Sequence, residues 1–429
     1  MNLRYIADLH IHSRHAGGCS DKLTIKNISE AAEKKGIGII STGDFTHPLW
    51  LNEIKSSLHE AESGLFTLNK DSSVRFMLGT EVSTVFNEKG GENRGMFSAD
   101  KSVRKVHTCI LAPGIEVIDQ INADLGKYGN LSLDGRPMLN MSTPELIECL
   151  HSIDPRIFAF PAHIWTPWFG VLGSMSGFDS IKEAYQDQAM HIHAVETGLS
   201  SDPAMNWRIS GLDDYAIIST SDAHSLPKLA REAITLDIDE KGVSYEAIIK
   251  RIKSKRLERT IEFYPEEGKY HYDGHRKCNI SLSPEEAKKF NGICPVCRKK
   301  LTIGVMHRIG ELADREPGFR PKDAVPFIHA IPLQEVIAYV TGKGVSTKTV
   351  QEAYTSLLSV FGTELNVLID ADIEAIESID KNLANAIKNI RSEKVSITPG
   401  YDGIFGVIDI LGRARSDRKQ QAQKSMHDY

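Results

Sequence analysis

Histidines and carboxylates stand close together at several points in the first half of the chain. Of its 16 histidines, 11 lie before residue 225. His10 and His12 are separated by one residue, so on a strand both imidazoles share a face and can reach one ion. Asp222 and His224 repeat this spacing. Two histidines with added carboxylates suit zinc, manganese or iron better than magnesium, so the pattern predicts a metal centre.

Other residues beside apolar runs extend this set. Glu81 follows the run 76–78, where a carboxylate can bridge two ions about 3.5–4 Å apart. Taken singly, His107 and His163 are better explained as hydrogen-bonded structural histidines than as metal ligands. The predicted metal ligands are His10, His12, Asp44, Glu81, His107, His163, Asp222 and His224, and the predicted catalytic residues are Glu81, His163, Asp222 and His224.

A second cluster of metal-binding residue types lies later in the chain. His275 and Cys278 form one pair, and Cys294 and Cys297 form another, with 15 residues between the pairs. This spacing is typical of a closed, tetrahedral structural zinc site. His271 is the alternative ligand. A redox role for Cys294 and Cys297 would leave Cys278 unexplained, so we expect one structural zinc ion.

The elements that must position the first set alternate in type up to about residue 236. Amphipathic stretches at Ile25–Lys35 and 142–151 predict helices, the second with Ser142 as N-cap and Glu145 completing a capping box. Strand–helix alternation predicts a mostly parallel α/β sheet or barrel, with active residues at the carboxyl ends of the strands. The predicted strands are 5–7, 38–40, 76–78, 108–111, 157–160, 194–196 and 216–218.

The remainder of the chain divides into three further parts. A predicted closing helix at 245–257 carries Lys253, Lys255 and Arg256, which form either a solvated face or a strip that contacts phosphates. Little apolar content follows around the cysteines, and helical patterns return at 333–340, 347–360 and 372–390. We therefore predict domains at 1–262 (barrel), 263–310 (zinc-binding module) and 311–429 (mostly helical).

Composition sets limits on the function. The chain is 25% charged and 41% hydrophobic, values typical of a globular protein with a full core. A formal net charge of −6 gives no overall basic bias toward nucleic acid, so any such binding needs a local patch. An apolar stretch of about 18 residues and a signal peptide are both lacking, so we expect a cytoplasmic protein without a membrane span.

The motifs of the metal centre carry a family resemblance. Asp8-x-His10-x-His12, Gly43-Asp44, Glu81, His107, His163 and Ser221-Asp222-Ala223-His224 resemble the polymerase and histidinol phosphatase (PHP) family. The resemblance implies a distorted (β/α)7 barrel that hydrolyses phosphoesters with two or three divalent ions, zinc, manganese or magnesium. Many members have Asp-His where this chain has Asp44-Phe45, so the ligand of a third ion stays open among Asp44, His47 and His15.

Longer strings narrow the resemblance to one family. Residues 7–14, 42–48 and 160–168, with the later segments 269–271, 294–297, 304–308 and 399–403, resemble endonuclease Q over nearly the whole chain. That family nicks DNA on the 5′ side of deaminated bases such as hypoxanthine and uracil, and it typically has cysteine where this chain has His275. The resemblance implies a DNA repair endonuclease acting on double- or single-stranded DNA, with xanthine or an abasic site as further candidate lesions.

Several residues are candidates for contacts with DNA or the lesion. Trp165 and Trp168 follow His163, and they either pack in the core or form a platform for a flipped base. The strand-end residue Glu196 is expected near the same pocket, and Arg308 in the later segment is expected to contact DNA. Lesion selection is assigned to the domain at 311–429.

Two other functions remain open from the sequence. A small-molecule phosphatase of the PHP type explains the barrel but leaves the zinc module and the later helices without a purpose. An inactive DNA-binding or scaffold protein conflicts with the nearly complete ligand set. Docking to a sliding clamp or another repair protein also stays open. The basic tail holds no convincing clamp-binding peptide that would favour it.

Overall fold

A computed structural model describes residues 2–87, 102–239 and 242–412 of the chain. It contains two compact units. One comprises Met1–Glu33, Ile37–Ile261 and Arg308–Phe327, and the other comprises Lys34–Gly36, Glu262–His307 and Ile328–Tyr429. The predicted boundaries of three domains stay a prediction. The basic tail after Gly412 lies outside the described residues.

The helices and strands follow one another along the whole described chain. The strands are β1 (Asn2–Asp8), β2 (Ile39–Ser41), β3 (His59–Glu62), β4 (Leu65–Thr67), β5 (Arg75–Asn87), β6 (Val103–Ala112), β7 (Met138–Leu139), β8 (Phe158–Pro161), β9 (Ala194–Glu196), β10 (Ala216–Ile218), β11 (Ala233–Asp239), β12 (Arg259–Glu262), β13 (Asp273–His275), β14 (Ile280–Leu282), β15 (Phe327–His329), β16 (Ser396–Thr398) and β17 (Val407–Asp409). The helices are α1 (Ile25–Lys35), α2 (Pro48–Ser57), α3 (Ile115–Leu125), α4 (Thr143–Ile153), α5 (Ile181–Tyr185), α6 (Pro203–Asn206), α7 (Tyr245–Lys253), α8 (Pro284–Lys289), α9 (Val305–Leu312), α10 (Leu333–Thr341), α11 (Lys348–Phe361), α12 (Ile373–Glu377) and α13 (Lys381–Arg391).

A mixed sheet forms the centre of the first unit. Its strands lie in the order β12-β11-β1-β2-β5-β4-β3, and β6 pairs with both β5 and β8. Strands β1, β2 and β5 run parallel, whereas β11, β6 and β8 each run antiparallel to their neighbours. The fold class is α/β as predicted, but the prediction of a mostly parallel sheet is wrong, because strand–helix alternation does not reveal hairpin pairings.

The pairing of β5 with β6 changes where two predicted ligands lie. The two strands pair from Leu78 to Asn87, well beyond the predicted strand at 76–78. Glu81 and His107 therefore lie inside long strands rather than in loops at strand ends. Glu81 lies opposite Cys109 in the hairpin, and His107 lies two residues before Cys109. Because residues two apart on a strand share a face, the side chains of Glu81 and His107 point to the same side of the sheet.

Local sequence signals explain the helices of the first unit. Helix α1 has the predicted bounds, and α4 begins with the predicted capping box between Ser142 and Glu145. In α7 the buried residues Tyr245, Ile248, Ile249 and Ile252 follow helical spacing, so one face packs on the core and the other carries charge.

The second unit is mostly helical after residue 332. Its helices α10 and α11 agree with prediction, but the single helix predicted at 372–390 is divided into α12 and α13. Asp380 causes the division, because its side chain accepts hydrogen bonds from the backbone N–H groups of Asn382 and Leu383 and so starts a new helix. Within the described ranges no helix has the length and apolarity needed to cross a membrane.

Candidate metal centre and active site

The loops that follow β1 and β10 are hydrogen-bonded to each other through their backbones. Asp222 N donates to His10 O at 2.9 Å, and His12 N donates to Ala223 O at 3.1 Å. The rings of His12 and His224 lie 4.7 Å apart between centroids as a result. Two motifs more than 200 residues apart in sequence thus form one side of the site.

The buried carboxylate of Asp8 holds these two loops in this arrangement. Its carboxylate accepts hydrogen bonds from Ser221 N at 3.0 Å, Ser221 Oγ at 2.6 Å and Ala230 N at 2.8 Å. Burial raises the pKa of Asp8 to about 6, although these hydrogen bonds oppose the shift. Asp8 belongs to the predicted first motif, and here it positions the loop that carries Asp222.

Glu81 lies at the centre of the site. Its Oε1 is 2.8 Å from His107 Nδ1 and 3.1 Å from His163 Nε2, and its Oε2 is 3.4 Å from His12 Nε2. Burial by itself raises the pKa of Glu81, but the attraction of His10 and the hydrogen bond from His107 hold that pKa well below its usual range. Glu81 is therefore an ionised carboxylate facing imidazoles on two sides.

The side chains around Glu81 form three overlapping groups with the geometry of metal ligands. In each group the ligand atoms all lie within 4.8 Å of one another. Glu81 belongs to two groups, and His12 also belongs to two. The groups are His10, His12 and Glu81; Glu81, His107 and His163; and His12, Asp222 and His224.

Two observations show that these residues fit divalent ions. His10 Nε2 and Glu81 Oε2 are buried without a hydrogen-bond partner among the described residues, which is rare for buried polar atoms. Burial lowers the pKa of His107 to about 4, which keeps its imidazole in the neutral form that binds metals. A set of imidazoles and carboxylates suits zinc or manganese.

Asp44 and Glu196 orient ligands rather than join the three groups. Asp44 Oδ1 lies 2.9 Å from His12 Nδ1, and its Oδ2 accepts a hydrogen bond from Ser13 N at 2.6 Å. Glu196 Oε1 lies 2.9 Å from His10 Nδ1, and its Oε2 accepts from His163 N. Both carboxylates are buried and engaged with the site's own residues, which fits an orienting role, while Asp44 as a ligand and Glu196 as a DNA contact stay predictions.

The other candidates for a third ion lie outside the groups. His15 and His47 stack on each other, with ring centroids 4.4 Å apart and ring planes 15° apart. Neither belongs to a ligand group among the described residues. The residues that meet at a third position are instead His12, Asp222 and His224.

The predicted zinc ligands meet in the second unit. His275, Cys278, Cys294 and Cys297 form one group with ligand atoms within 4.8 Å of one another, and His271 is not part of it. Cys294 packs with Ala287 and Leu301 in a small core of its own. A core of this size needs additional stabilisation, which a zinc ion held by these four residues would supply.

The two tryptophans after His163 differ in their surroundings. Trp165 is 1% exposed, and its Nε1 donates to Asn206 Oδ1 at 2.7 Å. Of the two alternatives for Trp165, core packing is the one that agrees with this burial. Trp168 is 40% exposed, and the Lys105 ammonium lies 5.0 Å from its ring centroid.

The guanidinium of Arg308 is engaged in hydrogen bonds within the protein. Its guanidinium donates to Asp179 Oδ1 at 2.6 Å, to Leu172 O at 3.1 Å and to Phe178 O at 3.0 Å. With its side chain 14% exposed, it holds the loop that follows Trp168. These contacts give Arg308 a structural role, and a contact of Arg308 with DNA stays a prediction.

The basic strip on and after α7 lies at the wrong end of the strands for the metal groups. Lys253 Nζ is 5.9 Å from the ring centroid of Phe158, the first residue of β8, whereas His163 follows the other end of that strand. Lys255 donates to Asp213 O, ahead of β10, whereas Asp222 follows β10. Lys253 and Lys255 thus lie at the opposite end of these strands from the metal groups, and a contact of Lys253, Lys255 and Arg256 with phosphates stays a prediction.

One residue at the site belongs to no motif, and the sequence alone did not predict it. Arg136 Nε lies 3.7 Å from Glu81 Oε2, and the arginine side chain is 24% exposed. Asp134 holds its loop by accepting hydrogen bonds from Arg136 N at 2.9 Å and Gly17 N at 3.1 Å. In the sequence, Asp134-Gly135-Arg136-Pro137 is typical of a turn, so it predicts a loop but not where that loop lies in the fold.

Comparison with solved structures shows a match over the full length. The crystal structure of the lesion-specific endonuclease Q from Pyrococcus furiosus is 32% identical, with 97% of this chain and 99% of that chain covered and a TM-score of 0.83. The chain belongs to the endonuclease Q family. A second endonuclease Q, in complex with a 27-mer duplex substrate carrying an abasic lesion at the active site, is 31% identical over 97% of this chain and 100% of that one, with a TM-score of 0.81.

Endonuclease Q membership agrees with two partial matches. The MJ0043 protein of Methanocaldococcus jannaschii is 36% identical over 252 residues, which is 57% of this chain but only 31% of that protein's length. The family model of the MJ0043 C-terminal domain matches residues 332–394, which hold α10 to α13. As a member of the endonuclease Q family, the chain is an enzyme, and the predicted resemblance is confirmed.

Proposed function

We propose that this DNA repair endonuclease hydrolyses the phosphodiester on the 5′ side of a deaminated base, such as hypoxanthine or uracil, with more than one divalent ion. The observation that carries the proposal is the set of three overlapping ligand groups joined by Glu81 and His12. A family member bound to duplex DNA with an abasic lesion at its active site supports DNA as the substrate.

The chain's own residues would hold the ions in defined places. Glu81 reaches two groups, and His12 reaches the first and third. When bound, divalent ions lower the pKa of a water molecule and stabilise negative charge on the phosphate and the leaving oxygen. Asp44 and Glu196 keep the imidazoles of His12 and His10 turned toward the ions.

Arg136 has the position and charge to bind the scissile phosphate. Its guanidinium faces the carboxylate of Glu81 and remains partly open to solvent. Arginine binds phosphate oxygens through planar, charge-assisted hydrogen bonds, and such bonds matter most where negative charge develops in the transition state. We assign Arg136 to phosphate binding.

Trp168 is the remaining candidate for a base platform. Its side chain is exposed, and it follows the metal-group residue His163 by five positions. A base flipped out of the duplex is stabilised by stacking on an aromatic ring. Extrusion costs less where the base pairs poorly, so a deaminated base is favoured before any hydrogen bond reads it.

A nicking assay tests this function directly. End-labelled duplexes with one deoxyinosine, one deoxyuridine or no lesion are incubated with manganese, magnesium or zinc, using the wild type and Asp222→Ala. We expect a single cut on the 5′ side of the lesion, lost in the variant. Release of phosphate from small monoesters without any cut in DNA would instead establish a phosphatase.

A further inference from the structure

His163 has a backbone conformation that is uncommon for a residue with a side chain. Its φ is 29°, in the left-handed region that few residues other than glycine adopt. Glu196 holds it there, because Glu196 Oε2 accepts a hydrogen bond from His163 N and Glu196 O accepts one from Ile164 N at 3.1 Å. Backbone strain of this kind persists only where the surroundings impose it, and it concentrates at functional sites. The surroundings of His163 therefore determine where its imidazole points.

Gly198, two residues after Glu196, makes room for this arrangement. Its own φ is 58°, which glycine adopts without steric cost. A Cβ atom at this position would lie 2.4 Å from Cβ and 2.8 Å from Cα of His163, closer than van der Waals contact permits. Because Cα belongs to the backbone, rotation of the histidine side chain cannot relieve the overlap. Glycine is therefore the residue that lets the loop after β9 approach His163 this closely.

The hydroxyl of Thr166 contacts His163 twice. Thr166 Oγ1 donates a hydrogen bond to His163 O at 3.1 Å and lies 2.9 Å from His163 Nδ1. A hydroxyl has one proton, so with that proton on the carbonyl it can only accept at Nδ1. Nδ1 therefore carries the imidazole hydrogen, and Nε2 keeps the lone pair that a metal ion needs. Nε2 lies 3.1 Å from Glu81 Oε1 and 3.2 Å from His107 Nδ1, within the ligand group of these three residues.

We propose that Thr166 and Gly198 are positioning residues for metal binding by the group of Glu81, His107 and His163, and that both act through His163. The inference rests on the proposed function only in taking His163 as a metal ligand. Partners that fix the tautomer and the orientation of a ligand histidine are worth about 10–100-fold in metal affinity. The carboxylates beside two other ligand imidazoles add negative charge to the site, whereas the Thr166 hydroxyl fixes the ring without adding any.

The first test changes the hydroxyl alone in the full chain. Thr166→Val has nearly the same shape but cannot accept at Nδ1, whereas Thr166→Ser keeps the hydroxyl. Thr355→Val, at an exposed threonine on α11, is the matched control for the chemical change. Each protein is freed of metal and titrated with manganese in a calorimeter, without DNA. We expect the affinity for one ion to fall about 10–100-fold in Thr166→Val, and Thr166→Ser and the control to bind manganese as the wild type does.

The second test adds a methyl group at Gly198. Gly198→Ala should lose at least as much manganese affinity as Thr166→Val, whereas Gly211→Ala, where a Cβ would meet no atom within 4 Å, should lose none. Thermal unfolding shows which variants are folded, and the Thr166 variants decide the inference if Gly198→Ala is not. Unchanged affinity in folded Thr166→Val, or an equal loss in Thr166→Ser, overturns it. A wild type that shows these differences in manganese binding but never nicks lesion-bearing DNA contradicts the proposed function alone.

Discussion

Asp44 holds His12 by one ring nitrogen, with Oδ1 2.9 Å from Nδ1. The other nitrogen of the same ring, Nε2, faces Asp222 Oδ1 at 3.0 Å. A carboxylate at Nδ1 fixes the tautomer in which Nε2 offers a lone pair to an ion. Asp44 can do this because it adopts a left-handed backbone conformation, with φ of 47°, directly after Gly43.

Asp44→Asn should weaken metal binding while leaving the fold intact. Asparagine tolerates the left-handed region as well as aspartate does, but it removes the charge that raises the basicity of His12. We expect metal affinity to fall by about 10–100-fold. Titration of the metal-free protein with manganese, read by nicking rate, should show a shifted midpoint and recovery at excess ion. No recovery at any concentration would count against an orienting role.

Glu81→Gln should weaken metal binding in both ligand groups that contain Glu81. Glu81 is shared by two ligand groups, so loss of its charge affects both. We expect elemental analysis to show a loss of at least one ion per chain, with any zinc at the site of His275, Cys278, Cys294 and Cys297 retained. Glu116→Gln, at an exposed glutamate on α3, is the matched control and should bind metal as the wild type does. Full metal content in Glu81→Gln would contradict the shared-ligand arrangement.

Arg136→Ala should slow cleavage without changing metal content. Removing one group that stabilises transition-state charge costs about 10²–10³-fold in rate. Single-turnover nicking at saturating DNA measures this loss apart from binding. Arg136→Lys should restore part of the rate, because lysine keeps the charge but not the planar pair of donors. A normal rate in Arg136→Ala would reject the phosphate-binding role.

Substitutions at the two tryptophans should have opposite consequences. Trp168→Ala should weaken binding to lesion-bearing DNA by about 1–3 kcal/mol, the value of one stacked base, with thermal stability kept. Trp165→Ala should lower the free energy of unfolding by roughly 3–5 kcal/mol, because it leaves a large cavity in the core. Lesion-duplex affinity and chemical denaturation measure the two effects. Equal behaviour of the two variants in both assays would contradict their assignment.

The sequence predicted those features that depend on neighbouring residues. The capping box of Ser142 and Glu145 starts α4 because both partners lie within one helical turn. The spacing of His275, Cys278, Cys294 and Cys297 likewise predicted that these four side chains meet. The metal groups were largely predicted as a set, since each member belongs to a recognisable motif.

Features that depend on distant pairings could not be predicted. The extension of β5 along β6 places Glu81 inside a strand, and nothing within either strand's own sequence specifies that partner. Arg136 reaches the site on a loop that is held by the hydrogen bond from Gly17 N to the side chain of Asp134. These two residues come together only in the folded chain. The two tryptophans, three residues apart, gave no indication that one is buried and the other exposed.

The hydrogen bond between His12 and Asp222 joins residues 210 positions apart. An ion held by both residues is therefore a reversible cross-link that closes most of the first unit into a loop. Such a link restricts the unfolded chain, and the restriction grows with loop length. Binding of ions at this site should therefore also stabilise the folded protein against unfolding. A nascent chain in which Asp222 has not yet been synthesised lacks the third ligand group, so assembly of the cutting site waits until synthesis has passed residues 222–224.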